Sequence, residues 1–311
     1  MGELIHGVWS ADAHQTDKEG SFQRKESTFR EKDLVFTPGR YHLYVSLACP
    51  WAHRTLIFRV LKKLEGAIGL TVTDPHMGIN GWWFAEPEPL YGYRYLHQIY
   101  TAAQPDFSGR VVVPVLWDKE RRTIANNESA EIIRLFNRWG DGPDFAPAAL
   151  LPEIDRVNEY VYDAVNNGVY RAGFATQQAA YAAAFEKLFT ALDLIEARLA
   201  TQRYLCGDVL TEADWRLFTT LFRFDAVYYG HFKCNRRRIA DYPNLANYLR
   251  ELYQVPGVAA VCDIDQVKRH YYGSHKQLNP SGIVPLGPTQ DFSQPHDRTR
   301  FATADLMRGV V

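Results

Sequence analysis

Polar and apolar positions change period several times along the chain, and each change marks an expected element. Residues 1–38 are polar, with mixed charge between Lys18 and Lys32 and turn residues at Pro38 and Gly39, which predicts an extended N-terminal arm. From Tyr41 to Leu47 the side chains of Tyr41, Leu43, Val45 and Leu47 alternate with His42, Tyr44 and Ser46, the two-residue period of a strand. Pro50 then fixes the backbone angle favoured at the first position of a helix. Ala52, Leu56, Ile57, Val60, Leu61 and Leu64 follow at helical spacing, so a helix is expected directly behind Cys49. Residues 70–73 predict a second strand, and 111–116 and 117–124 two more, joined by the charged turn Asp118, Lys119, Glu120. Asn126 or Asn127 caps a helix running from Glu128 through Ile132, Ile133, Leu135 and Phe136. The expected order over 39–141 is strand, helix, strand, long loop, two strands, helix.

After Asp141, Gly142 and Pro143 the pattern turns helical, over 154–165, 179–199, 212–224 and 245–252, with no strand-like alternation. The predicted division is an arm (1–38), an α/β domain (39–141), an all-α domain (150–275) and an irregular tail (276–311) carrying Pro280, Pro285, Pro288 and Pro295.

A length of 311 residues suits about two domains, and 46% apolar with 23% charged residues is ordinary for folded protein. Net charge −1 provides no field toward nucleic acid or an anionic membrane, so neither is an expected partner. The basic run Lys233, Arg236, Arg237, Arg238 reads as a solvated face. No apolar run approaches the roughly 20 residues of a membrane span, and residues 1–10 lack a basic flank followed by an apolar stretch, so the expected location is the cytoplasm. Ten histidines show no H-E-x-x-H spacing, and no metal is expected; His53 reads as structural or exposed. Four cysteines (Cys49, Cys206, Cys234, Cys262) are too scattered for a disulfide framework. With 18 Tyr beside 7 Trp and 17 Phe, the chain carries more phenols than a core requires, since each buried hydroxyl needs a partner.

Cys49 is the candidate for chemistry. A thiol immediately ahead of a helix sits where unpaired N–H groups and the positive end of the macrodipole favour the thiolate. The run SLACPWAH (46–53) resembles the active-site turn of thioredoxin-fold proteins, with Ala52 in place of the second cysteine. Without a resolving thiol in that turn, an oxidised intermediate there is a mixed disulfide cleared by an external thiol, of which glutathione is the obvious one. Val113-Pro114 resembles the cis-proline turn of this fold, and Glu128-Ser129 the pair that holds the γ-glutamyl group in its glutathione-binding members. The carboxylate can pair with the ligand ammonium while the hydroxyl and helix N–H groups receive its carboxylate. An α/β thioredoxin-like N-terminal domain followed by an all-α C-terminal domain resembles the glutathione transferase architecture. The T-x-x-D capping box Thr211–Asp214, opening an apolar helix, is similar to the cap of their helical domain.

Longer motifs narrow the resemblance: ACPWAHRTL (48–56), NGW (80–82), SGRVVVPVLWD (108–118), NESAEII (127–133) and NNGVYRAGFA (166–175) resemble the glutathionyl-hydroquinone reductases, the Xi class, from about residue 35 onward. The resemblance implies that Cys49 is the nucleophile and that Trp82, next to Trp83, covers the glutathione. Arg110, Val111, Val112, Val113, Glu128 and Ser129 then complete the glutathione pocket. Tyr170, Tyr228 and Tyr271 line the hydroquinone site, with Tyr170 as the proton donor. It further implies a homodimer acting on glutathionylated aromatic molecules, with glutathione as co-substrate and no tightly bound cofactor. Two competing readings are an omega-like thiol transferase or dehydroascorbate reductase, and a non-enzymatic glutathione-binding regulator.

Overall fold

In the computed structural model, which describes residues 2–11 and 16–301, the arm is not simply extended. Strands β1 (Glu3–Ile5) and β2 (Val8–Ser10) form a hairpin. His6 and Gly7 both have positive φ (47° and 78°), as a two-residue turn matched to strand twist requires. The strands are three residues each and the turn is His-Gly rather than Asn-Gly, so no periodicity announces them. β1 also pairs antiparallel with β5 (Gly109–Arg110).

The main sheet is built from β3 (Tyr41–Val45), β4 (Gly69–Val72), β6 (Val115–Asp118) and β7 (Thr123–Asn126), in the order β4-β3-β6-β7. β3 and β4 are parallel and the other pairs antiparallel, so Leu43 lies between Leu70 and Leu116. Helix α1 (Pro50–Leu61) connects β3 to β4, and α3 (Ser129–Trp139) follows β7. Every residue of β3 is buried, so the polar members of its alternation are satisfied internally. His42 Nε2 meets Thr71 Oγ1 at 2.8 Å, and Tyr44 donates to the buried Glu88 at 2.9 Å. Burial pushes His42 down to about 4.

Three expectations change here. Val111–Val113 is irregular backbone bending at Val113 rather than a strand, and it runs into the cis Val113–Pro114 bond. The hairpin turn falls at 119–122 rather than 118–120, because Asp118 stays in β6, paired with Arg40 and accepting the N–H groups of Glu120 and Arg121. The long loop contains helix α2 (Leu96–Ala103), whose Leu96, Ile99 and Tyr100 are buried at helical spacing.

The remaining helices are α4 (Leu151–Val161), α5 (Gly168–Gly173), α6 (Gln178–Leu199), α7 (Glu212–Arg223), α8 (Pro243–Gln254) and α9 (Ile264–Ser274). All residues of α7 are buried, making it the central helix of its unit. The capping box is present. Asp214 accepts the N–H groups of Leu205 and Thr211 at 2.8 Å, the Thr211 hydroxyl at 3.0 Å and the Tyr248 hydroxyl at 2.7 Å. π-turns at Tyr162–Asn166 and Phe224–Tyr228 interrupt the helical register.

The described residues divide into two compact units, those within Met1–Gln15, Arg24–Asp141 and Asp265–Val284, and those within Thr16–Gln23, Gly142–Ile264 and Pro285–Val311. This differs from the expected linear partition in three places. Helix α9, with Tyr271, groups with the sheet unit, the arm segment Thr16–Gln23 groups with the helical one, and the tail is divided between them after Val284. Pattern along a chain shows where an element lies but not which core it joins.

Candidate active site

Cys49 occupies the N-cap of α1, with φ −78° and ψ 123°, and Pro50 begins the helix. The strand end supplies its N–H with Ser46 O at 3.1 Å, while its own carbonyl takes the His53 N–H at 2.9 Å. The side chain caps nothing. It is 9% exposed, and its thiol points to Val113 O at 3.6 Å, the carbonyl just before the cis proline. Start of helix and cis-proline turn thus meet at the sulfur.

The other cysteines lie in different surroundings. Burial pushes Cys206 and Cys262 up to about 12 and raises Cys234 as well. Each stays a protonated thiol at neutral pH.

The segment Val111–Val113 is held by Tyr100, which lies in helix α2 within the expected long loop. Its hydroxyl donates to Val112 O at 2.8 Å and accepts the Val112 N–H at 3.2 Å and an Asn127 amide hydrogen at 3.0 Å. The spacing Leu96, Ile99, Tyr100 was the available signal. Burial raises this phenol to about 12, so it remains a donor at neutral pH.

Glu128 and Ser129 open α3. The Glu128 carboxylate accepts Ala130 N–H at 3.1 Å and the Ser27 hydroxyl at 3.1 Å, so it is both helix cap and partner of the arm. Ser129 is buried and takes an N–H from Arg54 at 3.3 Å. Arg54 lies one turn beyond Cys49 on α1, 1% exposed, with its guanidinium 4.6 Å from the centre of the Trp51 ring. Arg24, from the arm, covers the same ring at 4.7 Å. Arg54 carries no sequence signal beyond lying in the ACPWAHRTL motif, and Arg24 carries none.

Arg110 and Val112 line a cavity of about 300 Å³ together with Glu3, Arg24, Ser27 and Asn127. Burial, reinforced by the Arg24 cation, pushes the Arg110 guanidinium down to about 10, still charged at neutral pH. A cationic wall of this kind suits a carboxylate.

Trp82 is 7% exposed and stacks on His270 of α9, with ring centroids 4.7 Å apart at 21°. His270 is fixed by Pro75 O at 2.8 Å from its Nδ1. The neighbouring Trp83 faces elsewhere and donates to His76 O at 2.8 Å. Tyr271, adjacent to His270, is buried against His275.

In the helical unit Tyr170 and Tyr228 come together, ring centroids 6.1 Å apart at 57°. Phe174 and Phe232 also lie around Tyr170, at 6.2 and 5.5 Å. Each tyrosine follows or closes a π-turn, Tyr228 being the last residue of one. Among the described residues no three His, Cys, Asp or Glu side chains cluster as metal ligands, and no helix is long and apolar enough to cross a membrane.

A mixed four-stranded sheet whose first helix starts at a lone cysteine, opposite a cis-proline turn and followed by a helical unit, defines a class: thioredoxin-like fold plus helical domain. The family models for the glutathione S-transferase N-terminal and C-terminal domains match residues 48–139 and 178–251. The chain belongs to the glutathione S-transferase family.

Within it, the similarity is specific. The glutathionyl-hydroquinone reductase YqjG of Escherichia coli K12 is 50% identical over 96% of this chain and 98% of its own length. The glutathione-bound structure of YqjG superposes with a TM-score of 0.87 at 49% identity, covering 96% of this chain and all of that one (100%). A Xi-class glutathione transferase from Natrialba magadii gives a TM-score of 0.91 at 45% identity, covering 97% and 98%.

Proposed function

We propose that this protein reduces glutathionyl-hydroquinones to hydroquinones, passing through a mixed disulfide between Cys49 and glutathione. The observation that carries the reading is the Cys49 sulfur, alone at the start of α1 and 3.6 Å from Val113 O, with Ala52 where a resolving thiol would stand. Identity of 50% to a glutathionyl-hydroquinone reductase over nearly the whole chain supports the same conclusion.

The substrate is a hydroquinone bearing glutathione sulfur on a ring carbon. A thioether does not exchange with thiols because carbon leaves poorly. A ring tautomer with carbonyl character, protonated on that carbon by Tyr170, changes this: the carbon–sulfur electron pair returns to the ring, which departs as aromatic hydroquinone. The Cys49 thiolate forms the new bond to the glutathione sulfur, so sulfur is oxidised as the ring is reduced. A second glutathione, as thiolate, attacks the mixed disulfide, releases oxidised glutathione and restores Cys49. In this reading Glu128 and Ser129 hold the γ-glutamyl group, Val111–Val113 pair with the tripeptide backbone, and Arg110 faces a carboxylate. Trp82 covers the tripeptide, while Tyr228 and Tyr271 line the ring site with Tyr170. Glutathione is then a co-substrate, no cofactor is resident, and the protein works as a cytoplasmic homodimer.

Cys49→Ala tests the reading. With a glutathionylated hydroquinone and excess glutathione, chromatographic detection of hydroquinone should show turnover in the parent and none above background in the variant, with an unchanged far-UV spectrum. Near-normal turnover in the variant removes the nucleophile. Faster reduction of a small mixed disulfide than of any hydroquinone conjugate makes the protein a thiol transferase instead.

A further inference from the structure

The arm segment that leaves the sheet unit is built to deliver one aromatic side chain. Residues Thr16 and Phe22 pair across a small loop, closed by Ser21 N–H to Asp17 Oδ1 at 2.8 Å and Gly20 N–H to Asp17 O at 3.1 Å. The loop is docked just beyond α5, where Thr176 N–H donates to Gly20 O at 3.0 Å and the Gln177 amide to Lys18 O at 3.0 Å. Gly20 is required at this contact. Its φ is +79°, and a Cβ there would lie 2.7 Å from Gln177 Cγ and 2.9 Å from Gln177 N.

Phe22 is the one aromatic residue between Thr16 and Gln23, and although its neighbours are polar it is only 5% exposed. Its ring stacks on Tyr170 (6.0 Å, 29°) and on Phe174 (5.6 Å, 27°). Tyr170's remaining aromatic neighbours described here, Tyr228 and Phe232, belong to the helical bundle and are fixed by it. Phe22 therefore supplies a wall of the tyrosine cluster from a segment held largely by backbone contacts.

We propose that Phe22 is a specificity-determining residue of the hydroquinone site, limiting the size of ring accepted beside Tyr170. The inference rests on the functional reading above. Truncating the phenyl ring leaves a gap of about one aromatic ring next to Tyr170, which a fused-ring substrate can fill and a single-ring substrate cannot.

The test uses the full chain with two substrates, a glutathionyl-benzohydroquinone and a glutathionyl-naphthohydroquinone, read as the ratio of their kcat/KM values. A ratio taken on one sample is insensitive to the fraction of active protein. Phe22→Ala should raise the naphtho-to-benzo ratio roughly tenfold, in the range that pocket size governs in apolar sites. Gly20→Ala, which disturbs the docking and leaves Phe22 in the sequence, should shift the ratio in the same direction, and Phe22→Leu should fall between parent and Phe22→Ala. Ratios within about twofold of the parent's in both alanine variants, from a parent active on both substrates, overturn the role of Phe22. A parent active on neither overturns the hydroquinone reading and the inference with it.

Discussion

Replacing Glu128 by glutamine removes a charge while sparing the local structure, which makes it a clean probe of the proposed glutathione ammonium site. The Glu128 carboxylate takes Ala130 N–H at 3.1 Å through Oε1 and the Ser27 hydroxyl at 3.1 Å through Oε2. A glutamine keeps the first contact with its carbonyl oxygen. The Ser27 hydroxyl also lies 3.3 Å from Asn127 O, so it can donate there and accept from the new amide. What disappears is the charge-assisted bond to the ligand ammonium, of order 1.5–3 kcal/mol. At about 1.4 kcal/mol per decade, the Kd for glutathione should weaken roughly 10- to 150-fold. Glu128→Ala should lose the same affinity and, through the missing helix cap, about 1 kcal/mol of stability as well. Titration calorimetry with glutathione on a Cys49→Ser background separates binding from chemistry, and thermal unfolding of the same samples reads the cap. A Kd for Glu128→Gln within about twofold of the parent's would place the ammonium elsewhere and refute the assignment.

Tyr170→Phe keeps the ring stacked among Phe22, Phe174 and Phe232 and deletes only the proton; kcat for a glutathionyl-hydroquinone should drop by roughly 10²–10⁴ with glutathione affinity unchanged, as measured by single-turnover kinetics. Asp214→Asn should lower stability in urea by about 2–3 kcal/mol, because an amide cannot accept from all four of Leu205, Thr211 (twice) and Tyr248 and so leaves a buried donor orphaned. Acid sensitivity follows from His42 and His231, which burial pushes down to about 4 from about 6.5 in the unfolded chain. The unfolded chain then binds their protons first, so stability falls as pH drops through 6.5 toward 4. Urea unfolding at pH 7 and pH 5 should show a smaller loss for His42→Asn than for the parent.

Much of the site was legible because its residues lie in contiguous motifs attached to strong periodic signals. A strand starting at Tyr41, a proline at the first helical position and Glu-Ser at a helix start are local facts, and the structure has all three, although the strand stops at Val45 rather than running on to Cys49. What escaped depends on long-range choices. Tyr100 holds the Val112 segment through hydrogen bonds spanning 12 residues, and His270 meets Trp82 from 188 positions away, 270 − 82 in sequence number. Phe22 sits in a polar stretch where one apolar residue changes no period. Helix α9 falls within the range 150–275 expected to be all-α, yet it groups with the sheet unit, because position along the chain does not say which core an element joins.

Why a single reactive thiol suffices follows from the environments of all four. Exposure does not explain the difference, since Cys49 is buried like Cys234, while Cys206 and Cys262 are partly exposed. The four differ in what surrounds the sulfur. Burial lifts Cys206, Cys234 and Cys262 far above neutral pH, whereas Cys49 stands at the N–H end of a helix, where an anion is favoured. A glutathione disulfide formed at Cys49 therefore meets no competent second thiolate among these cysteines, and Ala52, 0% exposed, fills the position from which a thioredoxin-type partner would attack. In the proposed cycle release therefore waits for free glutathione, which ties each turnover to a second tripeptide entering the same pocket, and the mixed disulfide is held in a form that only an external small-molecule thiol clears.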